Sequence, residues 1–378
     1  MSEVAAARIF APEELIPEIT LNMVEGIGSL LTQRLLDHFG DAESVLTASV
    51  RDLQAVNGIG AKIAVSISTA KTLHNPETVI KLCQSNGIQI VAKKDVRYPH
   101  LLHKIHDPPM FLFIQGELKP CDELAIAIVG TRHMTPYGRR QAERLAIETA
   151  HSGFTVISGL AQGIDGTAHH GALTAGGRTV AILGGGLLNI FPKDHVALSR
   201  DVAKNGALIS EYPPQSVPQK GTFPQRNRII SGMSLGVIIV EAPLKSGALI
   251  TARTAGEQGR EIFAVPGPID HESSRGCHQL LRDGAVLVES VSDILETLGP
   301  LTRPAVHPEK PEPIRHPAEL QLNEQESNVL AQISTSPTPI DQVIAGSGLL
   351  PHQVLATLGA LEMRRLIRRG EANSVARL

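Results

Sequence analysis

A chain of 378 residues is too long for one small core, and its length predicts about two to four domains. Apolar residues at 42% and charged residues at 19% exclude a disordered chain, while a net charge of -3 excludes a generally basic nucleic-acid binder, so any such partner must meet a local patch. The start MSEVAAARIF carries an early acid and no long apolar stretch, and no run reaches the roughly 18 residues of a membrane span, which makes the cytoplasm the expected compartment.

Residues 1–78 read as an all-helical domain with an internal echo. MVEGIGSLLTQRLLDHFG at 23–40 and AVNGIGAKIAVSI at 55–67 each carry a Gly-Ile-Gly turn running into an apolar-periodic helix. Such turns expose backbone N–H groups at a positive helix end, which suits a phosphate, and the pair resembles helix-hairpin-helix modules that grip DNA backbones. A packing unit that touches only the rest of the protein is the alternative, because Arg34 and Lys62 are the nearby cations.

From Cys83 to Glu117 the pattern changes to short strands, IQIVA at 88–92 and MFLFIQG at 110–116. Between them His100, His103 and His106 stand at helical spacing with only Asp107 beside them, which favours surface or capping histidines over a metal site. Cys83, Cys121 and Cys277 are far apart and lack CxxC spacing, so neither a disulfide framework nor a zinc site is supported. Cys277 next to His278 is read as a packed pair, with thiol chemistry as the weaker alternative.

Residues 79–298 are expected to form one domain, whose part from 124 to 298 alternates strand and helix. Strands are expected at 124–129, 154–157, 179–183, 207–209, 237–240 and 261–265, which predicts right-handed βαβ units and a doubly wound parallel sheet of Rossmann type. Most of these strands end in a small or polar cluster, and the carboxyl ends of such strands are where ligands bind. IAIVGTR at 126–132 is the strongest case: Gly130 permits close approach to the backbone and Arg132 places a positive fork beside it, so an anion is the expected guest. Gly130 begins GTRHMT rather than G-x-G-x-x-G, and no G-x-x-x-x-G-K-[ST] loop occurs, so no nucleotide cofactor is implied.

Positive charge collects between Lys193 and Arg228, with six Lys or Arg against three acids. In FPQRNRII, Arg226, Asn227 and Arg228 follow Phe223, and with Phe191 nearby they suit a strand of phosphates whose bases lean on rings. The alternative has an arginine bracing the sheet by pairing with Glu211 or Glu241, and one arginine of the pair is expected to face inward.

Residues 299–319 hold six prolines and read as a semi-rigid linker. Residues 320–378 follow as helix, glycine turn and helix with a basic strand pair, the order of a winged helix. Its second helix, expected from Pro351 to Met363, offers His352 and Gln353 but no basic residue at its start, so a protein contact fits at least as well as a DNA groove. Arg364, Arg365, Arg368 and Arg369 keep a phosphate contact open.

With these stretches in hand the chain resembles the DNA-processing protein A family, DprA or Smf. The resemblance rests on IAIVGTR with YG at 126–138, ISGLAQGIDGTAHHGAL at 157–173, TVAILGGGL at 179–187, FPKDH at 191–195 and LISEYPP at 208–214. It continues through FPQRNRIISGMS at 223–234, IIVEAPLKSGALITARTA at 238–255 and VPGPI at 265–269. The resemblance implies an extended Rossmann domain that binds and protects single-stranded DNA during natural transformation. It also implies loading of a RecA-type recombinase, dimerisation through the Rossmann domain, and binding rather than catalysis. Arg132 and Lys193 look like the family's phosphate-contacting residues, and Gly130, Thr131, Ser158, Gly159, Asn227, Ser246 and Gly247 like its pocket lining. Phe191 stands where a tyrosine is frequent. The alternative is a Rossmann-type nucleotide-processing enzyme of the phosphoribohydrolase kind. Its P-G-G-x-G-T-x-x-E signature is broken here at Pro266-Gly267-Pro268, with Glu257 on the wrong side of the strand.

Overall fold

In the computed structural model, residues 8–299, 322, 324–334, 338–363, 366–370 and 374–377 are described. The linker expected at 299–319 lies outside these residues beyond Gly299, as do Arg364 and Arg365. Nine strands make one sheet in the order β1-β2-β6-β5-β4-β3-β7-β8-β9. The strands are β1 Ile88–Ala92, β2 Phe111–Gly116, β3 Ala125–Val129, β4 Thr155–Ser158, β5 Thr179–Leu183, β6 Gly206–Ser210, β7 Gly236–Ile239, β8 Glu261–Ala264 and β9 Val286–Leu287. From β6 to β9 every neighbouring pair is parallel, while β1 and β2 extend the sheet as antiparallel strands beyond β6.

The central strands are apolar throughout because helices cover both faces of a parallel sheet. In β3 the alternation of side chains sends Ala127 and Val129 to one face, against Ile229, Ile230 and Met233 of helix Thr222–Gly232 and Ala248, Ala252 and Ala255 of helix Gly247–Glu257. Ile126 and Ile128 point to the other face, against Ala142, Leu145 and Ala146 of helix Pro136–His151 and Ala168 and Ala172 of helix Ile164–Thr174. Helix Pro76–Ser85, which straddles residue 78, packs through Val79, Ile80 and Cys83 with Ile88 and Ile90 of β1.

Successive strands step outward from β3 through β4 and β5 to β6, and β7 then returns to the other flank of β3. The gap between β3 and β7 is therefore the point where strand order reverses, the place at which such sheets open a crevice at their carboxyl edge. The residues after Val129, Ser158, Leu183, Ser210 and Ile239 all emerge along that edge.

Before the sheet, helices Ser29–Phe39 and Ala61–Ser68 each enter from the expected Gly-Ile-Gly turn. Gly26 and Gly58 hold φ of 86° and 93°, a left-handed backbone that a side chain would strain. Arg34 Nη1 donates to Asn57 O at 3.1 Å, so that cation ties one hairpin to the other, while Lys62 is exposed. After the linker, strands β10 Thr338–Pro339, β11 Ile367–Gly370 and β12 Ser374–Arg377 form a three-stranded sheet in the order β10-β12-β11. Helices Glu324–Ala331, Ile340–Ser347 and Pro351–Met363 share a core with it, built on Val329, Val343, Val354, Leu358 and Val375. This is a winged helix. No single helix among the described residues is long and apolar enough to cross a membrane.

Candidate nucleic-acid interface

The crevice is held shut at its base by backbone. Thr131 N donates to Glu241 O at 2.7 Å, joining the end of β3 to the end of β7, and Thr131 itself is buried. Glu241 is buried with its carboxylate used three times, accepting from Thr135 N at 2.9 Å, Thr135 Oγ1 at 2.5 Å and Ser273 Oγ at 3.2 Å. The sequence raised Glu241 only as an arginine partner; instead it anchors the start of helix Pro136–His151, where Thr135 Oγ1 accepts from Gly138 N at 3.0 Å.

Beside this seam runs the loop from Ser158 to Gly163. Ser158 is fully buried and its hydroxyl donates to Ile128 O at 2.6 Å, which makes it a brace rather than an exposed contact. Gly159 N donates to Asp165 Oδ2 at 3.1 Å. Leu160 holds φ of 54°, and its carbonyl meets His195 Nδ1 at 2.9 Å. Gly163, at φ of 80°, lies so close to Thr131 O that a Cβ there would come within 2.4 Å of it. The loop after β3 and the loop after β4 are thus one interlocked unit. Burial pushes the Asp165 carboxyl up, opposed by Arg226 and by the N–H groups of Ala161 and Gly159.

Two cations stand exposed over this unit. Arg132 places its guanidinium 5.1 Å from the centroid of the Phe223 ring, a cation–π arrangement that orients it without neutralising it. Lys193 follows the cis Phe191-Pro192 bond and is likewise exposed. Neither forms an ion pair with a described residue. Phe191, two residues before Lys193 and 51% exposed, lies 5.9 Å from Phe223 ring to ring. Of the three glycines at 184–186 the first makes room for this ring, since a Cβ on Gly184 would fall 2.9 Å from Phe223, while Gly185 and Gly186 pack against Pro218 and the carbonyls of Pro213 and Pro214.

The arginines of FPQRNRII depart from the sequence expectation, in which one of the two remained on the phosphate track. Both turn inward. Arg226 is 4% exposed, and its Nη1 donates to Ile182 O at 2.5 Å. Burial draws its pKa down to about 10, so it stays charged at neutral pH. Arg228 Nη2 binds both carboxylate oxygens of Glu211 at 2.6 Å, its Nε lies 3.1 Å from Asp107 Oδ2, and Nη2 also reaches Ser29 Oγ at 3.2 Å. It ties the sheet to the first helical hairpin, with Glu211 as the pairing partner. Burial pushes the Glu211 carboxyl up while Arg228 pulls it back.

Asn227, half-buried between the two arginines, directs Nδ2 to Gly247 O at 3.4 Å. Ser246 caps helix Gly247–Glu257 by accepting from Ala248 N at 3.2 Å, and Gly247 and Lys245 are exposed at the same end. The structure thus brings Gly130, Thr131, Arg132, Ser158, Gly159, Lys193, Asn227, Ser246 and Gly247 to one edge and removes Arg226 and Arg228 from its surface.

Other sequence candidates are spent on structure. Cys277 Sγ donates to Ile239 O at 3.5 Å and His278 Nε2 meets Gly267 O at 3.0 Å, so the two are not paired, and burial pushes the thiol up to about 12. His103 Nε2 meets Lys93 O at 3.0 Å. Among the described residues no group of three or more His, Cys, Asp or Glu could hold a metal ion.

Comparison with known proteins agrees with this geometry. Residues 89–299 match the family model for DNA recombination-mediator protein A, residues 311–373 the DprA winged helix domain, and residues 18–69 a SAM-like helix-hairpin-helix tandem. Protein Smf of Synechocystis sp. is 34% identical over 92% of this chain and 94% of its own length. DNA processing protein DprA of Bacillus subtilis is 38% identical over 72% of this chain and 92% of its own. The crystal structure of DNA processing protein A from Streptococcus pneumoniae, 31% identical, superposes with a TM-score of 0.66 over 76% of this chain and 98% of that one. The chain belongs to the DNA recombination-mediator protein A family, the DprA/Smf family of DNA-processing proteins.

Proposed function

We propose that the protein binds single-stranded DNA along the carboxyl edge of the sheet. Arg132 and Lys193 each take a phosphate, Gly130, Asn227, Ser246 and Gly247 line the track, and the buried Thr131, Ser158 and Gly159 brace it from beneath. The observation that carries this reading is a pair of exposed cations outside any ion pair with a described residue, Arg132 against the Phe223 ring and Lys193 two residues past the exposed Phe191, whose own ring meets Phe223. Exposed positive charge beside an accessible ring suits a strand whose bases are unstacked, and it holds any sequence because every base has a π-face. A duplex keeps its bases inside and gains nothing from the rings.

The reading extends to a cytoplasmic protein that shields incoming DNA during natural transformation and loads a RecA-type recombinase onto it. It acts as a homodimer through the Rossmann domain. The family description as a recombination mediator supports the handover. Binding rather than catalysis is supported by the state of the nearby polar groups: Ser158 Oγ is bonded to a carbonyl and His169 is buried beside Thr179, so neither is arranged as a nucleophile with its base.

A gel shift with single-stranded and double-stranded oligonucleotides at two salt concentrations tests the proposal. Tighter binding of the single strand, weakening as salt rises and needing no nucleotide or metal, is the expected result. Steady consumption of a nucleoside monophosphate would favour a nucleotide-processing enzyme instead. Sedimentation of the full chain, and capture of a RecA-type recombinase on protein-coated single strands, test the dimer and the handover.

A further inference from the structure

We propose that Arg226 is a positioning residue of the phosphate track, acting from beneath the loop at 158–163 without touching DNA. The inference rests on the single-strand reading above and changes the role of this residue within it. Helix Thr222–Gly232 runs below the crevice and sends side chains to three different strand ends: Phe223 to Gly184 after β5, Arg226 to Gly159 after β4, and Asn227 to Gly247 after β7.

The contact at Gly159 is the tightest. A Cβ on that residue would sit 1.8 Å from Arg226 Nη1 and 2.4 Å from its Cζ, so the guanidinium fills the space that a side chain at 159 would need. Gly159 N is meanwhile held by Asp165, and the next carbonyl, that of Leu160, by His195. Leu160 keeps a left-handed backbone, φ 54°, that leucine does not adopt unaided. A rigid plane beneath Gly159 is what this loop leans on, and the planar guanidinium, fixed on Ile182 O, supplies it.

Charge is the second contribution. Arg226 Nε is buried with no hydrogen-bond partner, and Asp165, the nearest opposing charge, forms no ion pair with it within 4.0 Å. The positive field of an incompletely compensated cation in a low-dielectric interior reaches the loop surface little screened by salt. An exposed cation that neutralises a phosphate releases a counterion, whereas a buried one that orients backbone beneath the strand does not. The two roles therefore differ in how affinity responds to salt.

The test uses the full-length protein and a fluorescent oligothymidine, with affinity measured across a salt series and hydrogen exchange followed in the DNA-free protein. Arg226→Met is expected to lower affinity about tenfold while leaving the slope of log affinity against log salt at the wild-type value. The amides of 158–163 should exchange faster. Gly159→Ala, which pushes a methyl into the guanidinium, is expected to give the same signature, and Arg226→Lys, which keeps the charge, to recover part of the affinity.

A slope lowered by about one unit in Arg226→Met, with unchanged exchange at 158–163, would show direct phosphate contact and overturn the proposal. Wild-type affinity in both Arg226→Met and Gly159→Ala would overturn it as well. Should Arg226→Met fail to fold, the other two variants carry the same comparison. If the wild-type protein does not bind the oligonucleotide, the function reading fails. The exchange experiment then still decides whether Arg226 braces the loop.

Discussion

Two sets of cations on the same sheet edge behave as opposites. Arg132 and Lys193 are exposed, and one of them is steered only by an aromatic ring, whereas Arg226 and Arg228, three to five residues beyond that ring, are 4% and 8% exposed and consumed by carbonyls and carboxylates. The difference lies in what each guanidinium finds on the side away from solvent. Arg132 leaves a strand end where the chain turns outward, while Arg226 and Arg228 lie on the buried face of a helix that must satisfy the undersides of several loops. Arginine suits both tasks because its planar fork serves a phosphate or a set of fixed acceptors equally well. Charge density in a sequence therefore marks a region without assigning its surface.

The buried set should dominate stability. Arg228→Met would leave Glu211, 13% exposed at its side chain, as an uncompensated charge, and breaking a buried pair in this way costs about 3–5 kcal/mol. The expectation is a large fall in the urea midpoint of the full chain with no change in the salt slope of oligonucleotide binding. Replacing both partners, Arg228→Met with Glu211→Met, should recover part of the loss. A changed slope with intact stability would place Arg228 among the DNA contacts and erase the distinction.

His169 extends the comparison to a group that the interior refuses to charge. It is fully buried, Thr179 Oγ1 donates to Val156 O at 2.8 Å and so receives the Nδ1 hydrogen at 2.7 Å, and Nε2 is left as a lone pair without a partner. Burial holds its pKa down to about 3, against an ordinary value of 6.5. The folded protein therefore binds no proton at this ring between about pH 3 and 6.5 while the unfolded chain does, so stability is present above pH 6.5 and is lost as pH falls. Between pH 7 and 5 that loss is about 2 kcal/mol. His169→Asn, whose amide reproduces the Thr179 bond, should flatten the urea midpoint across that interval by this amount. An unaltered pH profile would mean that the ring titrates in the fold as it does in the unfolded chain.

How much of this was legible in the sequence follows from which forces are local. Strands β3, β5 and β7 could be read because a strand buried on both faces must be continuously apolar, and the Gly-Ile-Gly turns because left-handed backbone asks for glycine. Strand β9, Val286–Leu287, is too short to show any period. Arg132 was legible as a cation just past a strand end, and Lys193 through the family resemblance at the aromatic-Pro step. An inward arginine paired with Glu211 was legible, and Arg228 is that residue; its second partner Asp107, 121 residues earlier in the chain, and the inward turn of Arg226 as well were not. Nor was the seat of Arg226 visible, because Gly159 reads as an ordinary turn residue until the fold places it against the guanidinium.

The exposed set should govern binding with little effect on folding. Arg132→Ala is expected to weaken oligonucleotide binding for every base composition and to lower the salt slope by about one unit, the signature of one lost phosphate. Lys193→Ala should do the same, and the double variant should lower the slope by about two if the residues hold separate phosphates. Unchanged affinity at low and high salt in Arg132→Ala would remove it from the track. A slope that falls no further in the double variant would place both residues on one phosphate.

The smallest effect is expected from the far end of the chain, where the contrast between charge and position is tested once more. The winged helix has its own core, and its helix Pro351–Met363 contains no Lys or Arg, while Leu350 and Leu355 are 59% and 46% exposed at its start and first turns. Arg368 is exposed on β11, five residues past the end of that helix. A surface of this kind adds few phosphate contacts to a track already built at the sheet edge. Deleting residues 300–378 should therefore leave both the affinity for oligothymidine and its salt slope close to those of the full chain, measured side by side. A steep loss of affinity with a reduced slope would relocate phosphate binding to the wing and make the exposed pair at the sheet edge secondary.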